Sequence, residues 1–150
     1  GQTFEVPRDP DVTVPIGKAK VVKEGSDVSI VAFSIMVGKA LEASDLLSNE
    51  GIEAEVIDLR TIRPLDVETI ITSVKKTNRI VTVEQGWPTC GIGAEISSLV
   101  GEEAFDFLDA PVKRVAGVDV PMPYAANLEK LALPQTSDIV SAAKAVCYRG

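Results

Sequence analysis

Apolar and polar positions along this chain follow two periods. Val28 to Phe33 is a continuous apolar, β-branched run of the kind carried by a strand buried on both faces. Ala54 to Leu59, Ile80 to Val83 and the shorter Val112 to Val115 repeat it. Between the first two runs, Val37, Ala40, Leu41, Ser44 and Leu47 recur at helical spacing, with Ser34 placed as N-cap and Gly51 just past the end. After the turn signals Pro64 and Asp66, the latter an N-cap, Val67, Ile70, Ile71 and Val74 form a second helical stripe. It ends in Lys75 and Lys76, where cations favour the helix dipole. Ile92, Ile96, Leu99 and Val100 mark a third helix, and two more are predicted over about Ala126 to Leu131 and Ser137 to Cys147.

Strands alternating with helices over short connections imply parallel βαβ units with right-handed crossovers. The fold class predicted is therefore α/β, in three α/β/α layers around a sheet of about five mostly parallel strands. Ile16 to Val22, joined to the next strand by the tight turn Glu24-Gly25-Ser26-Asp27, is predicted as one antiparallel edge strand. Residues 1–14, with Pro7 and Pro10 and no period, read as a linker or extended lead-in to a domain over 15–150.

Composition narrows the chemistry. The 150 residues, 45% hydrophobic and 25% charged, suit one globular domain. A chain of this length buries roughly 68–70% of its unfolded surface without needing a disulfide or metal. There is no histidine, which removes Ser-His and Cys-His nucleophile pairs and His-bearing zinc sites and leaves catalysis to carboxylates, Lys, Tyr or Cys. Cys90 and Cys147 lie far apart with no Cys-x-x-Cys spacing, which points to a reducing, intracellular compartment. No apolar run approaches the roughly 18 residues of a membrane span, and no signal pattern opens the chain. Gly1 in place of an initiator Met suggests a processed or trimmed chain that is part of something larger.

The net charge of −7 disfavours nucleic acid or an anionic membrane as partner. It is unevenly spread. Between Ile80 and Val112, Glu84, Glu95, Glu102, Glu103, Asp106 and Asp109 face no Lys or Arg, so this window carries −6 of the −7. Two readings stand: a solvated acidic face, or a docking surface for a basic partner.

Candidate sites lie at strand-to-helix junctions. Gly91-Ile92-Gly93 before the third helix suggests backbone amides for a phosphate, but Ile96 stands where a third small residue belongs, and close helix packing is the alternative. Glu84, at a strand end, is an acid or base, or else an ion-pair or helix-end contact. Arg60 and Arg63 could clamp an anion, reach a carboxylate on a neighbouring subunit, or pair within the domain. Trp87 and Tyr124, beside prolines, are interface anchors or packing under their loops. Cys90 has no evident activator.

Longer strings carry a resemblance. Pro15-Ile16-Gly17-Lys18-Ala19, Asp58-Leu59-Arg60-Thr61-Ile62-Arg63-Pro64-Leu65-Asp66, Val81-Thr82-Val83-Glu84, Gly93-Ala94-Glu95-Ile96, Leu108-Asp109-Ala110-Pro111-Val112 and Asp119-Val120-Pro121-Met122-Pro123-Tyr124-Ala125 follow in order. Together they resemble the C-terminal half of the beta subunits of pyruvate dehydrogenases, within the transketolase-like enzymes. The Pro-Met-Pro-Tyr-Ala form is closer to the pyruvate than to the branched-chain enzymes, and the stretch from Ala126 to Gln135 looks plant-like.

The resemblance implies an enzyme of two alpha and two beta subunits that decarboxylates pyruvate and reductively acetylates lipoyl groups. It implies thiamine diphosphate and magnesium held by the alpha subunit and by an N-terminal pyrimidine-binding domain of the beta subunit, with no cofactor or catalytic residue in this stretch. The roles implied here are assembly with the alpha subunit and a second beta subunit, through Arg60, Arg63, Glu84, Trp87 and Tyr124, and docking to the basic subunit-binding domain of the dihydrolipoyl acetyltransferase. The docking acid of the family carries over to Asp109, with Glu102, Glu103 and Asp106 around it. The compartment implied is the mitochondrial matrix, with plastid stroma and bacterial cytoplasm as alternatives. Ile35 stands where the family usually has a basic residue, and Phe33 where some members have His. The alternatives to this assignment are a stand-alone nucleotide- or flavin-binding α/β protein at the Glu84 to Gly93 loop and another transketolase-like 2-oxo acid dehydrogenase.

Overall fold

The computed structural model describes Arg8 and residues 11–149. Most of the predicted lead-in therefore lies outside the described residues, and 11–14 form no helix or strand. Five strands, β1 (Lys20–Lys23), β2 (Val28–Ala32), β3 (Ala54–Asp58), β4 (Ile80–Val83) and β5 (Lys113–Val115), form one sheet in the order β1-β3-β2-β4-β5. β1 pairs with β3 antiparallel and every other pair is parallel, which is the α/β architecture the alternation implies.

The helices are α1 (Met36–Ser48), α2 (Val67–Thr77), α3 (Ile92–Glu103), α4 (Ala126–Ala132) and α5 (Thr136–Val146), with a 3₁₀ turn at Phe105–Phe107. Strand residues alternate between two cores. Val28, Ile30, Val56, Val81 and Val83 meet α1 and α5; Val31, Ile57 and Ile80 meet α2 and α3. The second face also buries polar groups. Ser29 Oγ lies 2.5 Å from Ser73 Oγ and 2.6 Å from Thr77 Oγ1, and Ser73 donates to the buried carboxylate of Glu55 at 2.5 Å, which Lys76 also reaches. Each buried polar atom in this chain of contacts thus has a partner, as burial requires.

Two local expectations need correction. Ser34 does not cap α1: it sits in the left-handed region (φ +56°), and the cap position falls to Ile35 with no side-chain bond. The chain turns through Ser34 first, so the helix starts a step later. β1 is also shorter than predicted. Ile16 to Ala19 are drawn instead to the loop before α2, where Gly17 N–H donates to Thr61 Oγ1 (3.0 Å) and Ala19 N–H to Asp66 Oδ2 (2.9 Å). Asp66 does cap α2, accepting from the Thr69 N–H.

The turn from β1 does not make a simple hairpin, because β3 lies between β1 and β2. It crosses the start of β3 instead, with the N–H groups of Ser26 and Asp27 donating to the Glu53 carbonyl at 3.0 and 2.9 Å. A Cβ on Gly25 would stand 2.2 Å from the Ala54 carbonyl carbon, so only glycine passes there.

Candidate functional site

The β4–α3 junction is closed by its own carboxylate. Glu84 is 4% exposed. Its Oε2 accepts from the Ile92 N–H and its Oε1 from the Gly93 N–H, each at 3.0 Å, so the side chain occupies the place at the helix N-terminus that an anion would take. Arg114 Nη2 lies 3.8 Å from Oε1. A Cβ on Gly91 would fall 2.5 Å from that oxygen, and one on Gly93 would fall 2.6 Å from Thr82 Oγ1 and 2.8 Å from Oε1. The Gly-Ile-Gly string therefore serves close approach of helix to strand, and the phosphate reading does not fit. The subunit-contact expectation for Glu84 is corrected as well: the side chain is buried within the chain and its oxygens face α3.

Arg60 and Arg63 are exposed at the end of β3, and neither guanidinium has an ion-pair partner among the described residues. Arg60 takes a left-handed backbone (φ +57°), with its N–H on Asp58 Oδ1 at 2.9 Å. Beside this corner, a cleft of about 940 Å³ runs along α1 past Ser34, Ile35 and Asp58, so the Ile35 departure leaves an exposed apolar side chain in place of a cation.

Trp87 and Tyr124 lie at either end of one arm of the chain, in the loop after β4 and the stretch before α4. Trp87 is half exposed and its Nε1 donates to the Val120 carbonyl at 3.0 Å, while Tyr124 is fully exposed. The arm also leaves Val118, Met122, Leu128 and Leu131 open to solvent, and α4 buries Ala132 alone.

The predicted acidic residues gather at the far end of α3. Glu102 and Glu103 stand in its last turn, which holds no basic residue, so both oppose the helix dipole at a cost of about 0.3–1 kcal/mol each. Asp106 follows in the 3₁₀ turn. Asp109 is more firmly placed. Its N–H donates to the Asn78 carbonyl (2.9 Å), its carbonyl accepts from Tyr148 Oη (2.8 Å), and its Oδ2 lies 3.1 Å from Arg79 Nη2. Lys75 Nζ stands 5.1 Å from the centre of the Phe107 ring. Arg79, Asn78, Lys75 and Tyr148 carried no signal in the sequence beyond the cations that end α2. Only folding brings the end of α2 beside the loop after α3.

The described residues do not fit a thiamine diphosphate or magnesium site. Among them no group of three or more His, Cys, Asp or Glu is placed to hold a metal ion, and the Gly-rich helix N-terminus is filled by Glu84.

The family model described as the transketolase C-terminal domain matches residues 17–139. The pyruvate dehydrogenase E1 component subunit beta-2, mitochondrial, of Oryza sativa subsp. japonica is 60% identical over 99% of this chain and 40% of its own length. The E1 subunit beta of Rickettsia felis is 58% identical over 99% of this chain and 45% of its own length. Among solved structures, a split-gene transketolase described as an inactive beta4 tetramer superposes with a TM-score of 0.80 at 34% identity, covering 95% of this chain and 46% of that one. The chain thus spans less than half the length of the relatives it matches. With a five-stranded sheet of this topology and a family match across most of its length, the chain belongs to the transketolase C-terminal domain family, and its relatives include pyruvate dehydrogenase E1 beta subunits.

Proposed function

We propose that this chain is the C-terminal domain of a pyruvate dehydrogenase beta subunit, acting in subunit assembly and in docking the dihydrolipoyl acetyltransferase rather than in the chemical step. On this reading the whole enzyme decarboxylates pyruvate and passes the acetyl group to lipoyl domains in the mitochondrial matrix. Thiamine diphosphate, with magnesium, supplies the carbanion chemistry from outside this chain. The observation that supports docking is the grouping of Glu102, Glu103, Asp106 and Asp109 at one end of α3, with two of them against the helix dipole. Residues that disfavour their own helix are explained by a cationic partner, which gains from the same field. The arm around Trp87 and Tyr124, with Arg60 and Arg63, which have no ion-pair partner among the described residues, is assigned to contacts with the alpha subunit and a second beta subunit.

Titration with the basic subunit-binding domain of a dihydrolipoyl acetyltransferase tests the docking role. Asp109→Ala should weaken binding about fivefold, and raised salt should weaken it further, because an exposed pair is worth up to about 1 kcal/mol. Affinity unchanged by both would end the docking assignment. For assembly, Leu131→Ser with Tyr124→Ser should lower self-association or pairing with the alpha subunit in sedimentation; an unchanged distribution would count against the arm. Calorimetry with mononucleotides should give no heat, since Glu84 already occupies the candidate phosphate site.

A further inference from the structure

Among the four acids assigned to docking, Asp109 alone has a cationic partner among the described residues. Glu102 accepts from Ser98 Oγ at 3.2 Å, and Glu103 and Asp106 form no ion pair there. The partner, Arg79, is anchored from the opposite side. Its Nη1 donates to the Asp27 carbonyl at 3.4 Å, its Nε is buried without a hydrogen-bond partner, and with Asp27, Ile52, Cys147 and Arg149 it lines a cavity of about 200 Å³. Only Nη2 faces the acidic loop.

The loop does not need this ion pair to hold its shape. The backbone of Asp109 is fixed at both its N–H and its carbonyl, by Asn78 and Tyr148, and Asn78 Nδ2 also donates to the Phe107 carbonyl at 2.8 Å. These three bonds set the loop through main-chain atoms. The Arg79–Asp109 contact adds charge compensation to a carboxylate already in position, with the Asp109 side chain 55% exposed.

A basic partner arriving at Asp109 therefore meets a carboxylate already shared with a guanidinium. It must either displace Arg79 or sit beside it with like charges in close range, and both reduce the attraction. From this geometry we propose that Arg79 is an in-chain competitor for the docking acid, a residue that sets affinity and favours partners able to present an arginine fork over those offering a single ammonium. The proposal rests on the docking role of Asp109. Lys75, over Phe107, acts in the same sense from farther away. The fork preference follows because a guanidinium can engage both carboxylate oxygens, which offsets the displaced contact, whereas an ammonium is a point charge.

The test is a binding cycle with the basic subunit-binding domain, in the full chain, at low and high salt. Arg79→Gln should tighten binding roughly two- to fivefold at low salt, the range of an exposed ion pair, with a smaller gain at high salt. In an Asp109→Asn background the same change should lose most of its effect, and Arg79→Lys should return affinity to the parent value. Lys75→Gln, which leaves the buried Nε of Arg79 untouched, is the second variant and should give a smaller gain of the same sign. If Asp109→Asn weakens binding but neither cation variant tightens it, Arg79 is not a competitor. If Asp109→Asn leaves affinity unchanged, the docking role itself fails and this inference falls with it.

Discussion

Replacing Glu84 tests how the β4–α3 junction is held. Its carboxylate accepts two backbone bonds of 3.0 Å in a site 4% exposed to solvent. Hydrogen bonds to a charged group contribute about 1.5–3 kcal/mol each. Glu84→Gln keeps one acceptor but turns an amide donor toward the other N–H, so it should cost about 3 kcal/mol. Glu84→Ala strands both N–H groups, opens a void beneath Gly91 and Gly93, and removes the carboxylate oxygen 3.8 Å from Arg114 Nη2. The expected loss is about 3–5 kcal/mol, a large fraction of the 5–15 kcal/mol that holds a domain together. Urea unfolding is the assay. With a slope of about 2 kcal/mol/M, the midpoint should fall by about 1.5 M for Gln and further for Ala, at unchanged slope. A second readout is specific to the helix terminus: millimolar phosphate should raise the melting temperature of Glu84→Ala more than that of the parent, because the exposed amides then accept an external anion. A midpoint shift worth less than 1 kcal/mol for the Ala variant would refute the capping argument.

Three further outcomes follow from buried or half-buried groups. Asp66 is subject first to burial, which raises its pKa, but the Ala19 N–H, the Thr69 hydroxyl and N–H, and Lys18 outweigh it and hold the carboxyl below its ordinary value. Its stabilisation is therefore complete above an unfolded-state pKa of about 3.9 and disappears as pH falls through the lower folded value. Asp66→Asn should cost about 1 kcal/mol at pH 7 and little at pH 2, and an equal cost at both would contradict this. Lys76→Met should destabilise by about 1–3 kcal/mol in urea melts, since it leaves Glu55 (2% exposed) without a cation while Lys76 itself is half open to water. In thiol labelling, exposed Cys90 should react fast and Cys147 slowly, because burial pushes the Cys147 thiol up; two equal rates would overturn that.

The elements were legible wherever burial is two-sided or periodic. β2, β3 and β4 are continuous apolar runs because helices cover both faces, and α2 announces itself through Asp66, its stripe and its terminal lysines. Ser34 misled because a serine before an apolar stripe looks like a cap whatever its backbone does, and its left-handed φ is invisible in sequence. The partner of β1 was equally hidden. The turn from Glu24 to Asp27 joins β1 to β2 in sequence, and only the fold reveals that it steps over β3, where Gly25 passes Ala54. At the candidate site, Asp109 was legible through its string and its charge, whereas Arg79 and Tyr148 reach it from distant parts of the chain by paths that no local pattern encodes.

Folding also changes what the acidic window means. Counted along the chain it holds six acids and no cation, yet the fold divides those acids by task. Glu84 turns inward and serves α3, so it contributes nothing to a surface field. Glu102, Glu103, Asp106 and Asp109 remain at the outer end, where α2 brings Lys75 and Arg79 beside them; four acids against two cations leave −2. Lys75 is there for a reason independent of any partner: it sits in the last turn of α2, where positive charge is favoured, with Arg79 just past the Asn78 cap, and α2 and α3 share one face of the sheet. A net −2 screened over about 8 Å at physiological salt steers a basic partner only weakly. Tight docking at this end therefore requires apolar contact as well, and Phe105, 71% exposed between the acids, is the side chain placed to supply it. Under the proposed docking role, charge selects the partner and the aromatic ring sets how long it stays.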